Sequence, residues 1–140
     1  MEILQKYADL VIFSVLGLMA FGALYCVVER LLFLRKARPQ NYATQEDFDE
    51  ALSENMTLLN SIYSNAPYVG LLGTVVGIML TFYEMGVSGQ IEVKSVLIGL
   101  SLALKATALG LLIAIPALFA YNLLYRRIHK LSAAFNKGAR

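Results

Sequence analysis

The sequence has very few of the side chains from which enzymes build catalytic and metal sites. It contains one cysteine, Cys26, and one histidine, His129. A single cysteine excludes a disulfide within the chain, and a single histidine in a basic tail excludes the ligand spacings of zinc proteins. We also find no nucleophile elbow and no phosphate-binding loop. We therefore expect no enzymatic activity, no metal and no cofactor. Cys26 is interpreted as a small apolar residue of a helix, and His129 as a solvated or headgroup-facing residue.

Charged residues are also scarce. They make up 16% of the 140 residues against 58% hydrophobic residues, too few to cover a soluble surface of this size. Residues 10–28 and 55–83 contain no charge, and residues 96–125 contain only Lys105. A helix needs about 20 apolar residues to cross a bilayer, and only helices or closed barrels satisfy their backbone hydrogen bonds there. The sequence therefore predicts an all-α, polytopic membrane protein with three long transmembrane helices.

We predict a single membrane domain over residues 1–140. Its spans cover about residues 9–33, 63–84 and 95–125; a cytoplasmic segment of about residues 35–62 follows the first span, and a basic tail follows the third. The first apolar run exceeds the roughly 7–15 apolar residues of a signal peptide, and no small-residue cleavage pattern follows it. It is therefore interpreted as a retained helix.

The positions of the basic residues predict the orientation. Nine of the twelve Lys and Arg residues follow the first or the third apolar run, residues 10–28 and 96–125: Arg30, Arg35, Lys36, Arg38, Arg126, Arg127, Lys130, Lys137 and Arg140. Cytoplasmic loops carry an excess of Lys and Arg. We therefore predict that residues 30–65 and the tail are cytoplasmic, with the amino terminus outside (N-out, C-in). Beside a span, a basic tail indicates topology and lipid-headgroup contact rather than nucleic-acid binding.

The cytoplasmic segment is predicted to form an amphipathic helix. Pro39 ends the helix that leaves the membrane, and Thr44 followed by Asp47 is typical of a helix start. Apolar residues then recur at a spacing of three and four, at Phe48, Leu52, Met56, Leu59 and Tyr63. The acidic residues of this segment either lie against the basic ends of the first and third spans or form a solvated face.

The second and third spans each carry a stripe of small residues at helical spacing. The stripes are Gly70, Thr74, Gly77 and Thr81 in the second span, and Ala103, Thr107, Gly110 and Ala114 in the third. Small residues let helices pack closely, and their hydroxyls bond either across the contact or to their own helix. Gly73 is assigned to the same packing, and Pro116 is expected to bend the third helix.

Two blocks of sequence resemble a known family. APYVGLLGTVVGIMLTF and ALKATALGLLIAIPALFAYN are similar to the ExbB, TolQ and MotA proton-channel family, over about residues 62–130. Within that family the chain most resembles a short ExbB. The short cytoplasmic segment is less typical of TolQ and MotA.

This resemblance implies a subunit of a motor in the bacterial inner membrane that is driven by the proton-motive force. Several copies, typically five, would surround helices of an ExbD-like, single-span partner. Proton flow would act on a TonB-like protein that energises uptake of nutrients, such as iron complexes, across the outer membrane. The alternatives are a TolQ- or MotA-like stator subunit and a non-conducting scaffold for partner helices. No nucleic-acid partner is implied.

The resemblance assigns Thr74 and Thr107 to the lumen of such a ring. The third span contains no carboxylate, so the titrating group is expected on the ExbD-like partner. Family members commonly hold a glutamate where this chain has Leu102, and Lys105 stands where an apolar residue is usual. Lys105 lies about 160° round the helix from Thr107.

A lysine at the centre of a span is unfavourable by about 2.5–3.5 kcal/mol on insertion scales and needs a partner or water. We expect Lys105 to make an intersubunit contact, to tune the proton path or to contact lipid. Its candidate partners across a subunit contact are Thr81, Ser101 and Glu84.

Overall fold

The protein is helical, as predicted. A computed structural model describes residues 2–138. Within that range it contains four α-helices, one short 3₁₀ helix and no strand: α1 (Glu2–Lys36), the 3₁₀ helix (Pro39–Asn41), α2 (Gln45–Ser53), α3 (Met56–Ser88) and α4 (Val93–Gly138). Among the described residues, three helices are long and apolar enough to cross a membrane. The expectation of an all-α, multi-pass membrane protein is therefore confirmed.

Each predicted span lies inside one helix: the first in α1, the second in α3 and the third in α4. The helices are longer than the spans, since α3 begins at Met56 and α4 continues to Gly138. The limits of the spans within the helices and the orientation N-out, C-in stay predictions. Pro116 lies inside α4, which continues through it.

Local backbone chemistry accounts for the ends of α1 and α3. Arg38, which precedes Pro39, is extended at φ −129° and ψ 129°, because a following proline disfavours the helical conformation. Gly89 follows α3 with φ +68°, and its N–H donates to the carbonyl of Met85 at 3.0 Å. A left-handed glycine directly after a helix is a common stop signal.

The predicted amphipathic helix forms, but it is shorter than its apolar pattern indicated. Thr44 caps α2 by accepting from the N–H of Asp47 at 3.2 Å, and Phe48 and Leu52 are buried. The pattern predicted helix on to Tyr63, and this was wrong: α2 ends at Ser53 and α3 begins at Met56.

The interruption has two physical causes. Asn55 adopts φ +65°, a left-handed conformation that asparagine tolerates better than most residues. In addition, Arg30 donates to the carbonyls of Ala51 at 2.7 Å and Leu52 at 3.1 Å. These carbonyls lie in the last turn of α2, where no helical partner is available. Met56, which follows the break, is buried as well. The helical spacing of buried apolar residues therefore continues across the break.

The described residues form two compact units. The first comprises the described residues up to Ala20 together with Ser64–Ala114; the second comprises Phe21–Tyr63 together with the described residues from Ile115. The first unit packs around small residues such as Ala66, Ala103 and Ala106, whereas the second packs around larger side chains: Leu34, Phe48, Leu52 and Leu59.

Large apolar side chains are exposed along all three long helices. Leu18 and Phe21 of α1 are 73% and 72% exposed, and Leu112 and Phe119 of α4 are 69% and 67% exposed. Extended apolar surface of this kind is typical of contact with lipid or with other chains.

Candidate functional site

The contact between α3 and α4 in the first unit is built from small residues. A Cβ added to Gly70 would lie 2.5 Å from the carbonyl oxygen of Ala106, and one added to Gly110 would lie 2.5 Å from that of Ala66. At Gly77 it would lie 2.8 Å from the Cβ of Ala103. Cβ atoms essentially never lie within 3.0 Å of another heavy atom, so a side chain at these positions would displace the facing helix. The two helices therefore meet backbone to backbone, which only small residues permit.

Two more glycines extend this packing. A Cβ on Gly73 would lie 2.7 Å from the Cβ of Ala106 and 2.8 Å from Cγ2 of Ile12, which belongs to α1. A Cβ on Gly99, near the start of α4, would collide with the side chain of Thr81. The glycines of the predicted stripes thus lie at the contact between α3 and α4, and Gly73 lies where α1 also approaches it.

Thr74 and Thr107 meet at this contact. Their hydroxyl oxygens are 2.5 Å apart, and the Oγ1 of Thr74 also lies 2.9 Å from the carbonyl of Ala103. A hydroxyl has one hydrogen to donate and two lone pairs. Both contacts are satisfied when Thr107 donates to Thr74 and Thr74 donates to Ala103. The carbonyl of Gly70 is a more distant acceptor for both hydroxyls, at 3.3 Å from Thr74 and 3.4 Å from Thr107.

This arrangement leaves acceptor capacity on the Thr107 oxygen. Thr74 is buried, with 8% of its surface exposed, whereas Thr107 is half-buried. The Thr107 oxygen can therefore accept a hydrogen bond from water or from a donor outside the chain. The pair forms a short hydroxyl chain whose less buried end is Thr107.

Lys105 lies on the exposed part of α4. Among residues 2–138 it forms no ion pair, and its expected contact with Thr81, Ser101 or Glu84 of a neighbouring copy stays a prediction. Within the chain, Thr81 donates to the carbonyl of Gly77 at 2.8 Å, and Glu84 lines a cavity in the first unit.

That cavity has a volume of about 460 Å³ and a polar lining. It lies where α3 ends and α4 begins, and Glu84, Glu92, Thr81 and Leu102 contribute to it. Ser95 donates to Glu92 at 2.9 Å. Glu84 and Glu92 contribute two carboxylates to its lining, and Leu102, where the resemblance described above implies a glutamate, lies in its wall. Within residues 2–138 no group of three or more His, Cys, Asp or Glu side chains is placed to hold a metal ion.

Arg30 is a buried charge in the second unit that the sequence interpretation had treated only as a topological signal. Its side chain is 0% exposed and pairs with Glu29. Asn55 donates to the same carboxylate at 3.2 Å, and the ring of Phe33 lies 4.4 Å from the guanidinium carbon. Arg30 thus ties α1 to the end of α2. No local signal in the sequence distinguishes it from its exposed basic neighbours.

The sequence left two alternatives for the acidic residues of the α2 region: contact with the ends of the first and third spans, or a solvated face. The structure shows some residues of each kind. Asp49 accepts from Ser132 of α4 at 2.6 Å, and Glu54 lies 3.9 Å from Arg30. Glu46, Asp47 and Glu50 are exposed. Part of the acidic face therefore contacts the ends of α1 and α4, and the rest is solvated.

A row of aromatic side chains, missed in the sequence, also lies in the second unit. Ring centroids are 5.1 Å apart for Tyr63 and Tyr121, 5.9 Å for Tyr121 and Tyr125, and 4.4 Å for Tyr125 and His129. The spacing of four residues along α4 was the available signal. His129 is exposed, and Cys26 is buried and unpaired, as expected.

Comparison with known sequences identifies the family. Residues 34–137 match the MotA/TolQ/ExbB proton channel family. The chain belongs to this family. The two blocks that carry the resemblance, with Thr74 and Thr107 in them, lie inside the matched region.

Individual relatives agree with this assignment. The chain is 52% identical to "Biopolymer transport protein ExbB" of Helicobacter pylori (strain J99), over 96% of this chain and 93% of that protein. It is 42% identical to the protein of the same name in Aquifex aeolicus, over 93% of this chain and 88% of that protein. "Tol-Pal system protein TolQ" of Haemophilus influenzae is 40% identical, over 66% of this chain but 40% of that protein.

Proposed function

We propose that this protein is an ExbB-like subunit of a motor in the bacterial inner membrane, driven by the proton-motive force. The similarity to short proteins named ExbB supports this, because it extends over 93% of the Helicobacter protein. The motor would energise a TonB-like protein for nutrient uptake across the outer membrane, for example of iron complexes. In this proposal the protein performs no enzymatic reaction and needs no cofactor.

The observation that carries the proposal is the hydroxyl chain from Thr107 to Thr74. The oxygen of the half-buried Thr107 can accept a hydrogen bond, so it can orient a water molecule or a partner's donor without itself changing charge. A threonine hydroxyl does not titrate near neutral pH, and α4 contains neither Asp nor Glu. The group that gains and loses the proton would therefore be a carboxylate on an ExbD-like, single-span partner, with Thr107 facing it.

Lys105 supports assembly from several copies. It is exposed on a membrane-crossing helix and has no counter-ion among residues 2–138, and an unpaired charge within a span is unfavourable. A neighbouring copy would remove that penalty by supplying a carboxylate or hydroxyl. A closed homopentamer around two partner helices is the arrangement that the family resemblance favours.

Two other functions remain as alternatives. The similarity to TolQ of Haemophilus favours a TolQ-like stator subunit, with a MotA-like one as its variant, although only 40% of that TolQ protein is matched. A non-conducting scaffold would use the same close helix contacts. In that case the threonine hydroxyls would only hold α3 and α4 together.

Assembly and conduction test the proposal separately. The chain is co-expressed with an ExbD-like protein, and native mass spectrometry counts the copies of each. A ring of five that takes up two partner copies is expected; a monomer or dimer that ignores the partner contradicts the proposal. The complex is then placed in liposomes containing a pH-sensitive dye. A partner-dependent proton leak supports the motor, and an intact ring without a leak indicates the scaffold.

A further inference from the structure

A groove between α1 and α4 in the second unit combines an apolar wall with a cationic end. Its volume is about 470 Å³, and we refer to it as the basic groove. The apolar residues that line it are Val27, Leu31, Ala120, Leu123 and Leu124. The other lining residues are Arg126, Arg127 and Lys130. No acidic residue lines it.

Along α4, the apolar residues that line the groove come before the basic ones. Ala120, Leu123, Arg127 and Lys130 follow at intervals of three and four residues, so they lie along one side of the helix. That side changes from apolar to cationic within three turns. Opposite the apolar part, α1 contributes Val27, with Leu31 one turn further on.

The three cations are unpaired. Among residues 2–138, none of Arg126, Arg127 and Lys130 forms an ion pair with a carboxylate. Glu29, which lies in α1 between Val27 and Leu31, pairs with Arg30, and Asp49 accepts from Ser132 of α4. The groove therefore gathers positive charge that the chain itself does not neutralise.

We propose that the basic groove binds one anionic diacyl phospholipid. The phosphate would lie among Arg126, Arg127 and Lys130, and the upper part of one acyl chain would lie along Ala120 and Leu123. Basic pockets at the ends of membrane helices attract anionic headgroups. A free phosphate or a nucleic acid would use the cations and leave the apolar wall unoccupied. The volume fits a headgroup with the start of a chain, so the remaining chains would stay in the bilayer.

The lipid probes distinguish the contributions of the headgroup, its charge and the acyl chain to binding. The full chain is purified in a neutral maltoside detergent, in the oligomeric state that it adopts there. Lipid is then added in increasing amounts, and binding is measured by native mass spectrometry. Phosphatidylglycerol is compared with phosphatidylcholine of the same acyl chains and with glycerol phosphate. We expect saturable binding of phosphatidylglycerol, at least tenfold tighter than of phosphatidylcholine, and no competition from glycerol phosphate at equal concentration.

Three variants test where the lipid binds. The triple variant Arg126→Gln, Arg127→Gln, Lys130→Gln should bind phosphatidylglycerol about 100-fold more weakly, since each basic residue contributes about fivefold. A matched control removes the same charge outside the groove, at Lys36, Arg38 and Lys137, and should retain binding within about threefold. Ala120→Phe keeps every charge but fills the groove, and it should also weaken binding. Helix content by circular dichroism and copy number in the same spectra show whether each variant folds and assembles.

Several results would overturn this inference. Equal losses in the groove variant and in the control would show a response to net charge alone. Unchanged binding in the groove triple would place the lipid elsewhere. Equally tight binding of glycerol phosphate would indicate a free-phosphate site, and displacement of the lipid by an acidic partner segment in the co-expressed complex would assign the groove to protein. If Ala120→Phe does not fold, the triple glutamine variant and its control still show whether the lipid binds in the basic groove.

Discussion

The hydroxyl oxygens of Thr74 and Thr107 lie 2.5 Å apart across the contact between α3 and α4. The helices can approach this closely because Gly70 and Gly110 place no side chain between them and the facing carbonyls. The close packing and the hydroxyl chain are therefore one feature: without the glycines the threonines would not meet. This feature makes separate predictions for conduction and for stability.

Removing the Thr107 hydroxyl should reduce conduction and leave the fold intact. Thr107→Val should lower the partner-dependent proton leak at least tenfold, because the acceptor oxygen is lost. Unfolding free energy should fall by only about 1 kcal/mol, the net contribution of one hydrogen bond. Proton flux into dye-loaded liposomes and thermal unfolding in detergent measure the two effects. Thr81→Val is the matched control, since Thr81 bonds its own helix at Gly77. A Thr107→Val protein that conducts normally would mean that the hydroxyl serves packing alone.

A methyl group at Gly70 should separate α3 from α4. Gly70→Ala places a Cβ 2.5 Å from the carbonyl oxygen of Ala106, so the helices must move apart. We expect a loss of about 1–3 kcal/mol, as for other overpacked sites, together with a lower proton leak. Gly86→Ala is the control in the same helix, because nothing lies within 4 Å of its added Cβ. Thermal unfolding by circular dichroism compares the two; equal melting temperatures would contradict the close contact.

Replacing Lys105 should affect assembly rather than the fold of one chain. Lys105→Leu removes no ion pair among residues 2–138, so helix content should be unchanged. We expect at least a tenfold loss of the ring in native mass spectra, while Lys105→Arg keeps the charge and the ring. Lys94→Leu, at the exposed start of α4, is the control for a change of charge. A Lys105→Leu ring as stable as the wild type would exclude an intersubunit role.

Arg30 should hold the junction of α2 and α3 in place. Arg30→Gln leaves the Glu29 carboxylate without its main partner and removes a donor from the carbonyls of Ala51 and Leu52. Breaking a buried ion pair on one side is unfavourable by about 3–5 kcal/mol, and we expect the lower figure because Glu29 is partly exposed. Hydrogen exchange in α2 should accelerate accordingly.

The comparison for Arg30 is Arg35→Gln, which removes the same charge from an exposed position of α1. It should leave exchange in α2 unchanged. If both variants accelerate exchange equally, the effect comes from net charge, and the buried contacts of Arg30 contribute little.

Much of this protein is determined by short-range features of its sequence. Three apolar runs are long enough to cross a bilayer, and their length alone selects helices. Thr44 and Asp47 start α2, and Pro39 follows the end of α1, because caps and proline act within a few residues. The small stripes on α3 and α4 predicted close packing because their helical period is visible in the sequence. The two family blocks extended that prediction to the roles proposed for Thr74 and Thr107.

Tertiary structure decided which of these residues meet. The period from Phe48 to Met56 indicated a continuous helix, but Arg30, more than twenty positions away, bonds the last carbonyls of α2 where the helix ends. The direction of the hydroxyl chain depends on Ala103, twenty-nine residues from Thr74. The basic groove exists because α1 lies beside α4, which no local pattern encodes. Propensity and hydropathy act over one or two turns, whereas these contacts depend on where distant parts of the chain are placed by packing.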